Sequence, residues 1–155
     1  MRALIQRVRQ ASVTIDATVH SQIGIGMLIL LGIRSSDTDA DAEYLAQRCA
    51  DLRIFGDDQR KMNLSVTDVG GSALVVSQVT LYAETRKGNR PSLSDSASPG
   101  EAERLYNLFV KCLRDRLGEE RVQTGVFRAM MDVGLINDGP VTMMVESKRN
   151  DGVVG

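Results

Sequence analysis

The chain predicts a single α/β domain in which mixed, curved β-sheets pack on each other and two helices cover one outer side, giving β/β/α layers. Three observations carry this expectation. Strand-like runs fill both ends of the chain, only two segments have the apolar spacing of helices, and no linker or internal repeat divides the 155 residues. Two helices cannot cover every strand face, so other strands must cover the remainder. The domain is expected over residues 1–146, with the polar, glycine-ended stretch 147–155 as a frayed tail.

From the N-terminus the pattern reads as strands over about 2–9, 12–23 with a bend, and 25–33. Val13, Ile15, Ala17 and Val19 alternate with polar residues, the period of a half-buried strand, whereas Met27 to Leu31 is apolar at every position, as in a strand covered on both faces. Ser36-Asp37-Thr38-Asp39 then offers N-cap side chains, and Ala42, Leu45, Ala46, Cys49 and Leu52 follow at helical spacing, predicting a helix over about 38–52. Short ordered runs are expected at 53–55 and 61–64. Ala73 to Leu81 reads as another buried strand, and 82–99 as a long loop of the kind that carries function. Ser98-Pro99-Gly100-Glu101 has the form of a capping box with proline at the first helical position, and Gly118 a stop. Strands are expected again at 120–124, 127–136 and 140–146.

Composition narrows the function. With 43% hydrophobic and 25% charged residues the chain matches ordinary globular proteins. It has no signal-peptide pattern, and its longest apolar run is only strand-length, so a cytoplasmic protein with no membrane partner is expected. A net charge of −1 disfavours a broad electrostatic grip on nucleic acid, and no DNA partner is expected. A pocket that holds only the end of a nucleic acid remains open. Cys49 and Cys112 lie on the apolar sides of helical patterns and read as reduced core residues. The single histidine, His20, falls on the polar face of a strand, which argues against a Ser-His-Asp or Cys-His device, and no Cys/His/carboxylate cluster has metal-ligand spacing. No metal and no cofactor are expected. Gly24-Ile25-Gly26 and Gly70-Gly71 precede no phosphate-cradling helix start and read as turns.

Two stretches remain. Ser77, Gln78, Val79 and Thr80 end a buried strand and are followed by the basic loop Arg86 to Ser92; this suits the floor of a polar-ligand site, or equally a strand end with satisfied hydroxyls. Asn137-Asp138-Gly139-Pro140 interrupts an apolar run; it reads as a hairpin turn, or as a rigid Gly-Pro peptide holding carbonyl acceptors toward a ligand.

Ser77-Gln78-Val79-Thr80-Leu81, Gly88-Asn89-Arg90-Pro91-Ser92 and Asn137-Asp138-Gly139-Pro140-Val141-Thr142 resemble the three signature segments of the D-aminoacyl-tRNA deacylases, formerly called D-tyrosyl-tRNA deacylases, and the likeness runs from Met1 to about Val145. The resemblance implies a homodimer that hydrolyses the ester of D-amino acids attached to tRNA, without a metal. Its Gly-Pro peptide would be cis and enter the partner's pocket, where the Gly139 and Pro140 backbone would act as chirality filter, with Arg7 as a brace. Ser77, Gln78 and Thr80 become catalytic-site candidates, with Thr80 as nucleophile or, lacking a base, as a positioning group. Lys87, Asn89, Arg90 and Ser92 become candidates for tRNA contact. Val79 and Leu93 stand where the family commonly has Phe; Val79 and Phe127 become substrate-binding candidates, the terminal adenine meeting either apolar contact or the Phe127 ring. Two rivals follow: a non-hydrolytic module of this fold that binds a tRNA end or nucleotide, and an amidohydrolase with a Thr or Ser nucleophile, weakened by the missing base.

Overall fold

A computed structural model describes residues 1–147. Strand β1 (Arg2–Ile15) turns at Asp16 and Ala17, both at positive φ (49° and 64°), into β2 (Thr18–Ile23). That geometry matches the right-handed twist of a hairpin. The run expected as one strand over 12–23 is therefore two: a two-residue turn preserves alternation, so the period passes through it unbroken. Nor does β1 break between residues 9 and 12. Strand β3 (Gly26–Gly32) continues β2 along β1, because Ala11 faces Ile23 and Val8 faces Gly26 in one register. A Cβ on Gly26 would lie 1.8 Å from the Ser72 carbonyl oxygen, so only glycine permits this close approach.

Helix α1 (Asp39–Asp51) begins at Thr38, whose N–H donates to the Asp41 carboxylate at 2.8 Å. A small hairpin, β4 (Phe55–Gly56) and β5 (Met62–Leu64), follows. Strand β6 (Ser72–Ser77) lies parallel to β3, and β7 (Val122–Thr124) parallel to β6. Between them, α2 (Pro99–Leu117) ends at Gly118, at φ 103°. The capping box expected at Ser98 does not form. Ser98 makes no side-chain cap bond, and Glu101 instead accepts from Arg104 at 2.6 Å, since a cation one turn away competes well for a carboxylate.

The strand expected over 73–81 stops at Ser77. Gln78 N–H still donates to the Leu31 carbonyl at 2.8 Å, and then Val79–Tyr82 closes into a 3-10 turn. The two strands expected over 127–136 and 140–146 are one, β8 (Asp132–Glu146), antiparallel to β1 along nearly its whole length. Its other edge has no strand partner among the described residues.

The layers come from one bent sheet. Met27, Ile29, Leu31, Ala73 and Val75 pack with Leu45 and Phe109 beneath the helices. The alternate residues Leu28, Leu74 and Val76 face Val8, Ala11, Val13 and Ile23 of the folded-over half, as the unbroken apolar run of β3 requires. Ser21 Oγ donates to the Thr124 carbonyl at 2.7 Å, tying β2 to β7 and nearly closing the sheet into a barrel. Cys49 is buried, Cys112 half-buried, and both are free thiols. Ser147, the first residue of the expected tail, is held: its N–H donates to the Met1 carbonyl and its hydroxyl accepts from the Met1 amine, each at 3.0 Å. Residues 148–155 lie outside the described residues.

Candidate active site

The end of β6 opens a cavity of about 260 Å³. Ser77, Gln78 and Val79 form one wall, Leu31 and Ile33 the floor, and the turn carrying Phe127, Arg128 and Ala129 the opposite side; the first turn of α2 reaches it through Pro99 and Ala102. Ser77 and Gln78 are half-buried, Val79 and Thr80 exposed. The Gln78 side-chain amide donates to Thr80 Oγ1. Thr80 itself does not line the cavity, and among the described residues no carboxylate, lysine or histidine does. Val79 and Thr80 carry the leading N–H groups of the 3-10 turn, which have no acceptor within that turn. The Ser77 hydroxyl, the Gln78 amide and Val79 thus line one mouth, with Thr80 next in the chain just outside it and an apolar wall behind.

Phe127 is fixed from below. Its ring lies 6.0 Å from that of Tyr106, tilted by 43°, and Tyr106 Oη donates to the Val75 carbonyl at 2.7 Å. Burial pushes the Tyr106 phenol up, so it remains a neutral donor. Sequence reasoning singled out Phe127, which does line the cavity, but not Tyr106, whose position on α2 reads as an ordinary core residue. It also missed Arg128, because a φ of 66° leaves no mark in an arginine's name.

Asn137 to Thr142 is not a hairpin turn. Val8 pairs with Asn137 and Gln6 with Thr142, so Arg7 alone on β1 stands opposite Asp138, Gly139, Pro140 and Val141: the segment is a wide bulge inside β8. The Gly139–Pro140 peptide is cis. Asn137 closes the bulge, accepting from Val141 N–H at 2.8 Å and donating to Thr142 Oγ1 at 2.9 Å. Arg7 donates to the Asp138 carbonyl at 3.0 Å and the Ile54 carbonyl at 2.6 Å, with an Asp138 carboxylate oxygen at 3.4 Å. Gly139 and Pro140 are exposed and line no part of their own chain's cavity. Arg7 and Asp138 instead border a separate cleft with Arg60 and Met62.

The loop 84–92 closes on itself through paired backbone bonds between Glu84 and Ser92 (2.8 and 3.0 Å), holding Lys87, Asn89 and Arg90 out in solvent. Hydrogen bonds from Arg86 hold the Glu84 carboxyl down at about 2. None of Lys87, Asn89, Arg90 and Ser92 borders the cavity. His20 is exposed on β2, and among the described residues no three Cys, His, Asp or Glu side chains gather as metal ligands.

A family model described as D-Tyr-tRNA(Tyr) deacylase matches residues 4–146. The chain belongs to the D-Tyr-tRNA(Tyr) deacylase family. It is 57% identical over 152 residues to a D-aminoacyl-tRNA deacylase of Thermomicrobium roseum, covering 98% of this chain and 97% of that one. A solved structure described as a c-Myc DNA unwinding element binding protein superposes with a TM-score of 0.91 at 40% identity, over 96% of this chain and 99% of that one. Another, from an analysis of a "probable eukaryotic D-amino acid tRNA deacylase", covers 94% of this chain and 98% of that one with a TM-score of 0.81; at 17% identity it shows the fold alone. The matched span of this deacylase-family chain includes both the cavity and the bulge. No helix among the described residues is long and apolar enough to cross a membrane.

Proposed function

We propose that this chain hydrolyses the ester joining a D-amino acid to the terminal ribose of tRNA, at the cavity beyond Ser77, as cytoplasmic translation quality control. The observation that carries this reading is the cavity itself: uncommitted N–H groups, a hydroxyl and an amide without a base, in a chain of this family. An aminoacyl ester is already activated, and the vicinal ribose hydroxyl can carry the proton. What the protein must supply is position and a cradle for the oxyanion. The N–H groups of Val79 and Thr80 fill the second role. Ser77 and Gln78 orient the ester and the attacking water, and Thr80 holds Gln78 in place. Val79 and Phe127 give the terminal adenine apolar and aromatic contact, while Lys87, Asn89, Arg90 and Ser92 meet the tRNA beyond it. No cofactor takes part.

The selecting element comes from a second copy. Gly139 and Pro140 are exposed on an open sheet edge, away from their own cavity and braced by Arg7, as suits a segment that enters the partner's cavity in a homodimer. Their carbonyls accept from the substrate's α-ammonium and leave room for a side chain on one side only. An L-residue then meets backbone, whatever its side chain.

The test is release of amino acid from D-tyrosyl-, L-tyrosyl- and glycyl-tRNA, with and without chelator. Cleavage of the D and glycyl esters alone, untouched by chelator, is expected. Binding without turnover would convert the reading to a tRNA-end binding module, an inert glycyl ester would reject main-chain selection, and activity on small amides alone would point to a hydroxyl-nucleophile amidohydrolase.

A further inference from the structure

Arg128 lines the cavity at a place where its backbone favours another residue. Ala129 N–H donates to the Val126 carbonyl at 3.1 Å, closing a four-residue turn in which Arg128 occupies the third position at φ 66°. That conformation is the ordinary province of glycine or asparagine. Among the described residues three other non-glycine residues share the left-handed region. Asp16 and Ala17 make the β1–β2 turn and Arg60 closes the turn before β5, its N–H donating to the Asp57 carbonyl at 2.9 Å. Of these four only Arg128 borders the cavity at Ser77, and among the described residues it is the only charged one that does. Its side chain is exposed, and among the described residues its guanidinium is in no ion pair.

We propose that Arg128 is a substrate-binding residue that holds the phosphodiester of the tRNA's terminal nucleotide at the rim of the cavity. The inference rests on the reading of that cavity as the deacylation site. With the acyl ester at Val79 and Thr80 and the adenine against Phe127, the phosphate on the same ribose must leave through the mouth. Phe127 and Arg128 are adjacent on one turn, so the residue that faces the base also sets the guanidinium beside the sugar-phosphate. The guanidinium fork fits phosphate oxygens in a two-point contact, and an uncommitted one needs no prior partner broken. The turn accepts a strained arginine because the bond it makes forms only with substrate.

The experiment compares Arg128→Gly, Arg128→Lys and the unaltered protein on two substrates: D-tyrosyl-tRNA, and the D-tyrosyl ester of adenosine, which lacks the 5′-phosphate. For R128G, kcat/KM on tRNA should fall about tenfold further than on the adenosine ester, through KM. The slope of log affinity for tRNA against log salt should become shallower by about 0.7, as for one lost single-strand phosphate contact. R128K should recover much of both effects. R128G should also resist denaturant better than the unaltered protein, because glycine relaxes the turn; a role in folding alone would give the opposite sign. Equal losses on both substrates, or a raised KM with an unchanged salt slope, overturn the phosphate assignment. Failure of the unaltered protein to cleave either D-ester would instead overturn the reading of the cavity.

Discussion

Replacing Thr80 with alanine separates a positioning hydroxyl from a nucleophile. Thr80 is exposed, and its one side-chain partner among the described residues is the Gln78 amide two residues away. Its main-chain N–H, proposed for the oxyanion, survives the change. What disappears is one solvent-accessible hydrogen bond, worth about 0.5–1.5 kcal/mol. At 1.36 kcal/mol per decade, that is a rate loss of about two- to thirteenfold, with stability almost unaffected. Loss of a true nucleophile costs on the order of a millionfold. The assay is single-turnover release of D-tyrosine from tRNA at saturating protein, with circular dichroism as the control for folding. A fall of more than about a thousandfold in a folded T80A protein would refute the reasoning and make Thr80 the attacking group.

The bulge is more fragile. In Gly139→Ala the new Cβ would lie 2.9 Å from Arg7 Nη2 and 3.0 Å from Val141 Cγ2, at φ 132°, so the variant should lose about 1–3 kcal/mol in denaturant unfolding together with its preference for D-esters; unchanged stability and selectivity would count against the brace. Burial pushes the Cys49 thiol up to about 12, so at pH 8 iodoacetamide should modify half-buried Cys112 and spare Cys49 in the native protein; equal labelling would contradict the packing of α1. The Glu84–Arg86 contact, with its carboxyl depressed from 4.5 to about 2, should be intact above pH 4.5 and lost as pH falls through about 2; a carboxyl NMR titration centred near 4.5 would mean that the contact is absent in solution.

Much of the fold was written in local pattern. Period two marked β1, the unbroken apolar run of β3 announced its two covered faces, and Thr38 and Gly118 bounded helices where their chemistry suggested. What escaped depended on partners distant in sequence or on backbone angles. Asp16-Ala17 preserved the alternation it interrupts. Glu101 looked like a cap until Arg104 took it. The 3-10 turn after Ser77 replaced strand because Leu81 N–H and Ala83 N–H find acceptors at Gln78 and Thr80 within the turn (3.3 and 3.1 Å). At the candidate site, Ser77, Gln78, Val79 and Phe127 were legible and do share a cavity. Gly139 and Pro140 were legible too, yet they sit elsewhere on the chain. The proposed relation to the cavity would run between two copies, which no single-chain pattern encodes.

The open edge of β8 has a consequence for solubility. An edge with a full row of free N–H and C=O groups invites open-ended strand addition, the first step toward insoluble aggregates. Here Pro140 offers no N–H, and the bulge lifts four residues out of register midway along the strand. A stray strand could pair over only half of this edge before meeting the interruption. The same defect that turns backbone outward would therefore also guard the exposed edge against uncontrolled growth.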